Sequence, residues 1–225
     1  MNPTPIPRPI RERLCERDRH FIAHHIFGGH GFQTEEAILT LLVDPATRDL
    51  VLDDPDLRRA VLELPSPLSI SPELYFYLLV RHSLEQHGID DRALADYLAG
   101  MLAGAVSGEQ QDPRTRDLTY HVDFLRLLED AHGPERFFLH VGCANRFLLL
   151  TGIFPDFVLE RERRRGAPGI EYYEAIARHS FERASHHPLA DEFGLTEVYD
   201  SLVQCLPTAR NALDQMGRDY LFLSA

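Results

Sequence analysis

The sequence predicts an all-α fold, and three observations carry that prediction. The run Pro134–Ile153 is apolar around the whole helical wheel, from Phe137 through Val141 and Phe147 to Ile153, which is the pattern of a helix buried on all sides or of a membrane span. Most other segments place apolar residues three and four apart between prolines and glycines, as core-facing helices do. No run of four to eight residues alternates apolar and polar for long enough to require a strand, VLDD from Val51 being the nearest candidate. The expectation is a helical bundle of about ten helices in one domain, residues 10–225, around the 134–153 helix.

The elements follow from local punctuation. Residues 1–9 hold four prolines and read as an extended arm that trails in solvent or lies along the body. A first helix is expected from Arg8 or Ile10 to about Phe27, ended by Gly28 and Gly29. A second, about 34–43, opens on Thr34 as its cap, and a third, about 55–64, follows Asp54 and Pro55. Ser71, Pro72 and Glu73 are a cap, a first-turn proline and a first-turn acid. They start a helix that runs to His87 and pairs as an antiparallel hairpin, through Gly88, with the helix DRALADYLAGMLAGAV, which Asp90 is expected to cap. Residues 107–117 read as a flexible loop. Helix resumes through YHVDFLRLLEDA, turns at Gly133-Pro134 and enters the central helix. PDFVLERERRR, IEYYEAIARHSFERASHH and two patches at about 195–205 and 207–222 complete the chain. The last of the four begins at Pro207 because proline cannot continue a helix hydrogen-bond ladder.

Bulk composition narrows the function. The 225 residues, 44% hydrophobic, are enough to bury a sizeable core, and a net charge of −12 repels phosphate backbones, so no nucleic-acid partner is expected. His140, Asn145 and Arg146 interrupt the one membrane-like run below the roughly 20 apolar residues a span needs, so no membrane is expected either. Cys15, Cys143 and Cys205 lie far apart without metal-ligand spacing. That pattern, with no apolar leader at the N-terminus, points to a reducing, cytoplasmic setting.

Chemistry has a few candidate places. Inside the central helix, Asn145, Arg146 and His140 are either bonded to neighbouring helices or line a ligand site. Arg146 is expected to pair with a carboxylate or to run its stem along apolar surface to water. Glu16, His20 and His24 form a one-turn stripe able to hold zinc or iron, and Glu174, Glu182 and His186 form a second. Each stripe reads equally as a solvated face with i,i+4 pairs. The Glu-x-x-His spacing of di-iron bundles occurs at Glu129 and His132 alone. Asp117 with His121, and His82 with Glu85, read as surface pairs. Arg161, Arg163, Arg164 and Arg165 make a basic patch, suited to a helix C-terminus or to an acidic partner. Glycine-rich phosphate loops, GxSxG turns and CxxCH motifs are absent.

Between about Tyr75 and Ala184, the segments YFYLLVRHSLEQHGI, YHVDFLRLLEDA, FLLLTGIFPDF and YYEAIARHSF resemble, in order, a group of bacterial all-helical proteins of unknown function. The resemblance implies an all-helical fold and no activity. The reading that results is a cytoplasmic helical accessory or binding protein, acting through a protein partner, self-association or a small ligand, with no cofactor expected. The alternative is an iron- or zinc-dependent enzyme or carrier with a His/Glu site in the bundle.

Overall fold

The computed structural model describes residues 6–7, 9–11, 13–27, 40–63, 69–108 and 121–221, and all regular structure among them is helical. In chain order the helices are α1 (Glu16–Phe27), α2 (Pro45–Leu52), α3 (Pro55–Leu62), α4 (Pro72–Gln86), α5 (Arg92–Ser107) and α6 (His121–Asp130). Then follow α7 (Pro134–Ile153), α8 (Pro155–Arg165), α9 (Ile170–Ser185), α10 (Pro188–Glu192) and α11 (Thr196–Tyr220). No single helix among the described residues is long and apolar enough to cross a membrane.

Start signals are satisfied by the side chains that give them. Asp44 accepts from Thr47 N at 2.8 Å, Asp54 from Asp56 N at 2.8 Å, Ser71 from Leu74 N at 3.0 Å and Asp91, in place of the expected Asp90, which pairs with Arg81, from Leu94 N at 2.9 Å. Each satisfies a donor that the first helical turn leaves open. Proline fills the first turn of α2, α3, α4, α7, α8 and α10, where its missing N–H is not needed.

Several expectations are corrected. α2 was not expected, although Asp44-Pro45 is the same signal that marks α3; its last residues, Val51 and Leu52, are the ones that suggested a strand. α1 starts at Glu16 rather than at Arg8 or Ile10. Described residues ahead of it lie against the body: Ile10 is 3% exposed and donates its N–H to Asp96 at 2.7 Å, while Arg11 pairs with Asp49 at 2.8 Å. Pro7 and Pro9 keep that stretch from coiling. The expected second helix falls mostly on 34–39, outside the described residues, with 40–43 helical. The expected loop at 107–117 lies outside them from residue 109; Ser107 ends α5, and Gly108 follows at φ 70°. The two expected C-terminal patches are present: α11 is two helical stretches that meet at a kink, Cys205 (φ −113°, ψ 15°) being non-helical ahead of Pro207.

Two helix pairs flank α11. α4 and α5 form the expected hairpin through Gly88, whose φ of 78° suits glycine, and α7 packs along α9. α11 touches all four, and α6 and α8 attach to α7. The approach of α7 to α11 is close: a Cβ on Gly152 would lie 3.0 Å from Leu213 Cβ. Phe137, Phe147 and Leu148 are at most 1% exposed. The stripe Phe138, Gly142, Asn145, Arg146, Leu149 and Leu150 is half-buried, so α7 is covered on most but not all of its circumference.

Candidate functional site

Three helices each turn one face toward a pocket of about 500 Å³. From α6 come His121, Leu125, Leu128 and Glu129, which the helical repeat sets one above another. Arg136 and His140, one turn apart, come from α7, and α9 supplies Tyr172, Ile176, His179 and Ser180. Its size falls in the range of small-molecule sites, and its mixture of apolar wall with a few convergent polar groups is theirs too.

His140 is the unusual member. It is 7% exposed, and neither Nδ1 nor Nε2 has a hydrogen-bond partner among the described residues. Burial pushes its pKa down to about 4, with Arg136, Arg183, His179 and His187 adding to the effect, so the imidazole is neutral at pH 7. A neutral imidazole offers one donor and one acceptor. Leaving buried polar atoms unanswered costs about 1–3 kcal/mol apiece, so this side chain holds hydrogen-bonding capacity that the fold does not use.

The rest of the lining is better satisfied. His121 Nδ1 and the Tyr172 hydroxyl share a hydrogen bond at 3.1 Å, and burial with nearby His179 lowers the His121 pKa. His179 lies 3.7 Å from Glu182. Ser180, 3% exposed, bonds to the Cys143 thiol, whose pKa burial pushes up to about 12. That thiol is a packed core group and not a nucleophile.

Of the candidate ligand and metal residues singled out in the sequence, His140 faces this pocket, as do His121, expected in a surface pair, and Glu129, of the isolated Glu-x-x-His. Asn145 is tied to α5, its Oδ1 accepting from the Tyr97 hydroxyl at 2.7 Å. That is the structural role weighed for it. Replacing Asn145 by leucine strands a hydroxyl on a residue 4% exposed and is expected to cost about 1–3 kcal/mol. A double-mutant cycle with Tyr97→Phe should return about 1 kcal/mol of coupling, and none if the two side chains act independently.

Arg146 does not find the expected carboxylate among the described residues. It lies half-buried beside Leu149, Leu150, Phe154 and Phe157 in a recess of about 270 Å³ where α7 meets α8, its stem following apolar surface.

The metal candidates separate into different neighbourhoods. Glu16 and His20 are 3.9 Å apart on the exposed face of α1, with His24 exposed one turn on. Glu174 is paired with Arg210 of α11, and His186 Nδ1 is 2.6 Å from the Glu182 carbonyl. α1 packs on α3, whereas α9 packs on α7 and α11. Among the described residues no three His, Cys, Asp or Glu side chains are arranged to hold a metal ion. In the basic patch, Arg161 lies over the Phe157 ring at 5.4 Å, Arg164 pairs with Glu160 at 2.7 Å, and Arg163 and Arg165 are exposed. His82 sits between Arg58 at 3.0 Å and Gln86 at 2.9 Å. Asp117 lies outside the described residues.

Sequence reasoning missed the convergence of His121, Arg136, Tyr172 and His179 on His140. Their same-face spacings were present on each helix, but nothing local says that the three faces meet. The chain matches no family model, no curated protein and no solved structure.

Proposed function

We propose that this is a small-molecule binding protein whose site is the pocket between α6, α7 and α9. The observation that carries the reading is His140, buried with both ring nitrogens unanswered beside a cavity of ligand size. Buried polar groups are nearly always bonded in folded proteins, and a bound ligand supplies the missing partner. The three free cysteines support residence in a reducing compartment.

The test is a trade between stability and binding. His140→Leu removes two orphaned polar atoms and is expected to raise unfolding free energy at pH 7 by roughly 1 kcal/mol. The same variant should no longer bind fragments whose saturation-transfer signals and amide shifts map to Ile176 and Ser180 of the natural protein. Fragments that bind both proteins equally, or map elsewhere, would overturn the reading.

Acid sensitivity provides a second check. The unfolded imidazole takes up a proton near 6.5 and the folded one near 4. Between these values the unfolded state binds more protons, so the His140 contribution to stability is full above pH 6.5 and is lost as pH falls toward 4. After screening through the pocket's opening the loss is roughly 2 kcal/mol. His25, His82 and His121 shift in the same direction, so the measurement is the difference between His140→Leu and the natural protein. Equal pH profiles would show that the imidazole is solvated.

A further inference from the structure

Resting on the small-molecule reading above, we infer that the ligand is an amphiphilic carboxylate, its anionic head held by Arg136 and His140 and its apolar body laid along Leu125, Leu128 and Ile176. The inference comes from the sign of the charge around the pocket. In a chain of net charge −12, this lining sets the guanidinium of Arg136 one turn from His140, and its one carboxylate is Glu129, on α6. Arg183 adds to the positive surroundings of His140. Arg136 has no ion pair among the described residues, unlike Arg81, Arg164, Arg210 and Arg218, each of which sits against a carboxylate. Its charge at the pocket is left to whatever enters.

Each end of such a ligand finds its complement. A neutral imidazole donates one hydrogen bond to a carboxylate oxygen, and Arg136 supplies the balancing charge from the rim. Leu125 and Leu128 of α6 and Ile176 of α9 form the wall that excludes water from an alkyl or aryl body. A cationic ligand would meet Arg136 with repulsion. An uncharged one would cover Arg136 without pairing it, and that desolvation weakens binding.

Octanoate and 1-octanol differ only in the head group, which makes them the discriminating probes. Calorimetric titration of the full chain at pH 7.5 is expected to give octanoate an affinity roughly tenfold or more above that of octanol, with the excess shrinking in added salt. Arg136→Gln should bring octanoate down to the level of octanol. Arg163→Gln, the same charge change on exposed α8, should leave the octanoate affinity as it is. Bound octanoate should shift the amide resonances of Ile176 and Ser180, and His140→Leu should weaken it.

Equal affinities for the two probes would overturn the anionic head while leaving the pocket reading standing. Binding of neither would overturn both. A preference that Arg163→Gln reduces as much as Arg136→Gln would trace it to net charge and overturn the assignment to this pocket, as would shifts confined to other helices.

Discussion

Phe147→Ala is expected to lower the unfolding free energy by about 3–5 kcal/mol, the largest loss among the substitutions considered for this chain. Phe147 is 0% exposed and stands where α6, α7 and α9 meet. Its ring stacks on Tyr173 at 5.1 Å, meets Phe124 at 5.7 Å and takes the edge of His121 at 6.2 Å. Truncation removes the transfer energy of the ring and leaves a cavity that three helical backbones cannot close. Urea unfolding measures it: the midpoint should fall while the slope against denaturant holds. Phe157→Ala provides the contrast, because Phe157 is 49% exposed and its loss should fall within about 0.5 kcal/mol. A Phe147 deficit below about 1.5 kcal/mol would mean that the junction repacks freely. The pocket would then have no rigid back wall.

The contrast between those two phenylalanines bears on what one chain discloses of its fold. Both sit in the apolar run from Phe137 to Phe157, and periodicity treats them alike. What separates them is the 88° bend between α7 and α8 at Phe154-Pro155, which turns Phe157 outward. Local chemistry carried the helix starts well: Asp54-Pro55 and Ser71-Pro72 declare themselves because a cap bonds within three residues of its own position. The start of α1 was misplaced because its determinant is distant. Asp96, 86 residues along the chain, accepts the Ile10 N–H and holds it against the body, where the chain makes a turn from Ile10 to Arg13 ahead of α1.

The site divides in the same way. His140 could be chosen from the sequence because an imidazole among apolar residues of one helix must be answered or left orphaned. Asn145 stood beside it on the same argument, and only Tyr97, 48 residues away, shows that the amide is the answered one. The metal stripes had correct one-turn spacing. A coordination sphere needs ligands from several directions, however, and Arg210 already holds Glu174. Spacing constrains a face, and it is the packing of faces that makes a site.

Asp18→Ala is the second large loss expected, about 3 kcal/mol, and nothing in the sequence around Asp18 announces it. The carboxylate is 1% exposed, and its two oxygens accept three hydrogen bonds: from Ser71 N at 2.8 Å, from the Ser71 hydroxyl at 2.8 Å and from Cys15 N at 2.9 Å. Ser71 in turn accepts from Leu74 N and so caps α4. Asp18 therefore fixes the residue that starts another helix 53 positions later, and it joins α1 to α4 through a cap rather than through apolar packing. Hydrogen bonds to a charged group contribute roughly 1.5–3 kcal/mol each before the cost of burying the charge is subtracted. Alanine leaves two backbone N–H groups and a hydroxyl without their acceptor, whereas asparagine keeps one acceptor in the same place. The expected order of stability is natural protein, then Asp18→Asn, then Asp18→Ala, with faster amide exchange at Ser71 and Leu74 in the alanine variant as the local signature. If both variants lose less than about 1 kcal/mol and exchange at Leu74 is unchanged, the Ser71 cap holds without Asp18, and α1 is attached to the bundle by Phe21, Ile22 and Ala23 alone.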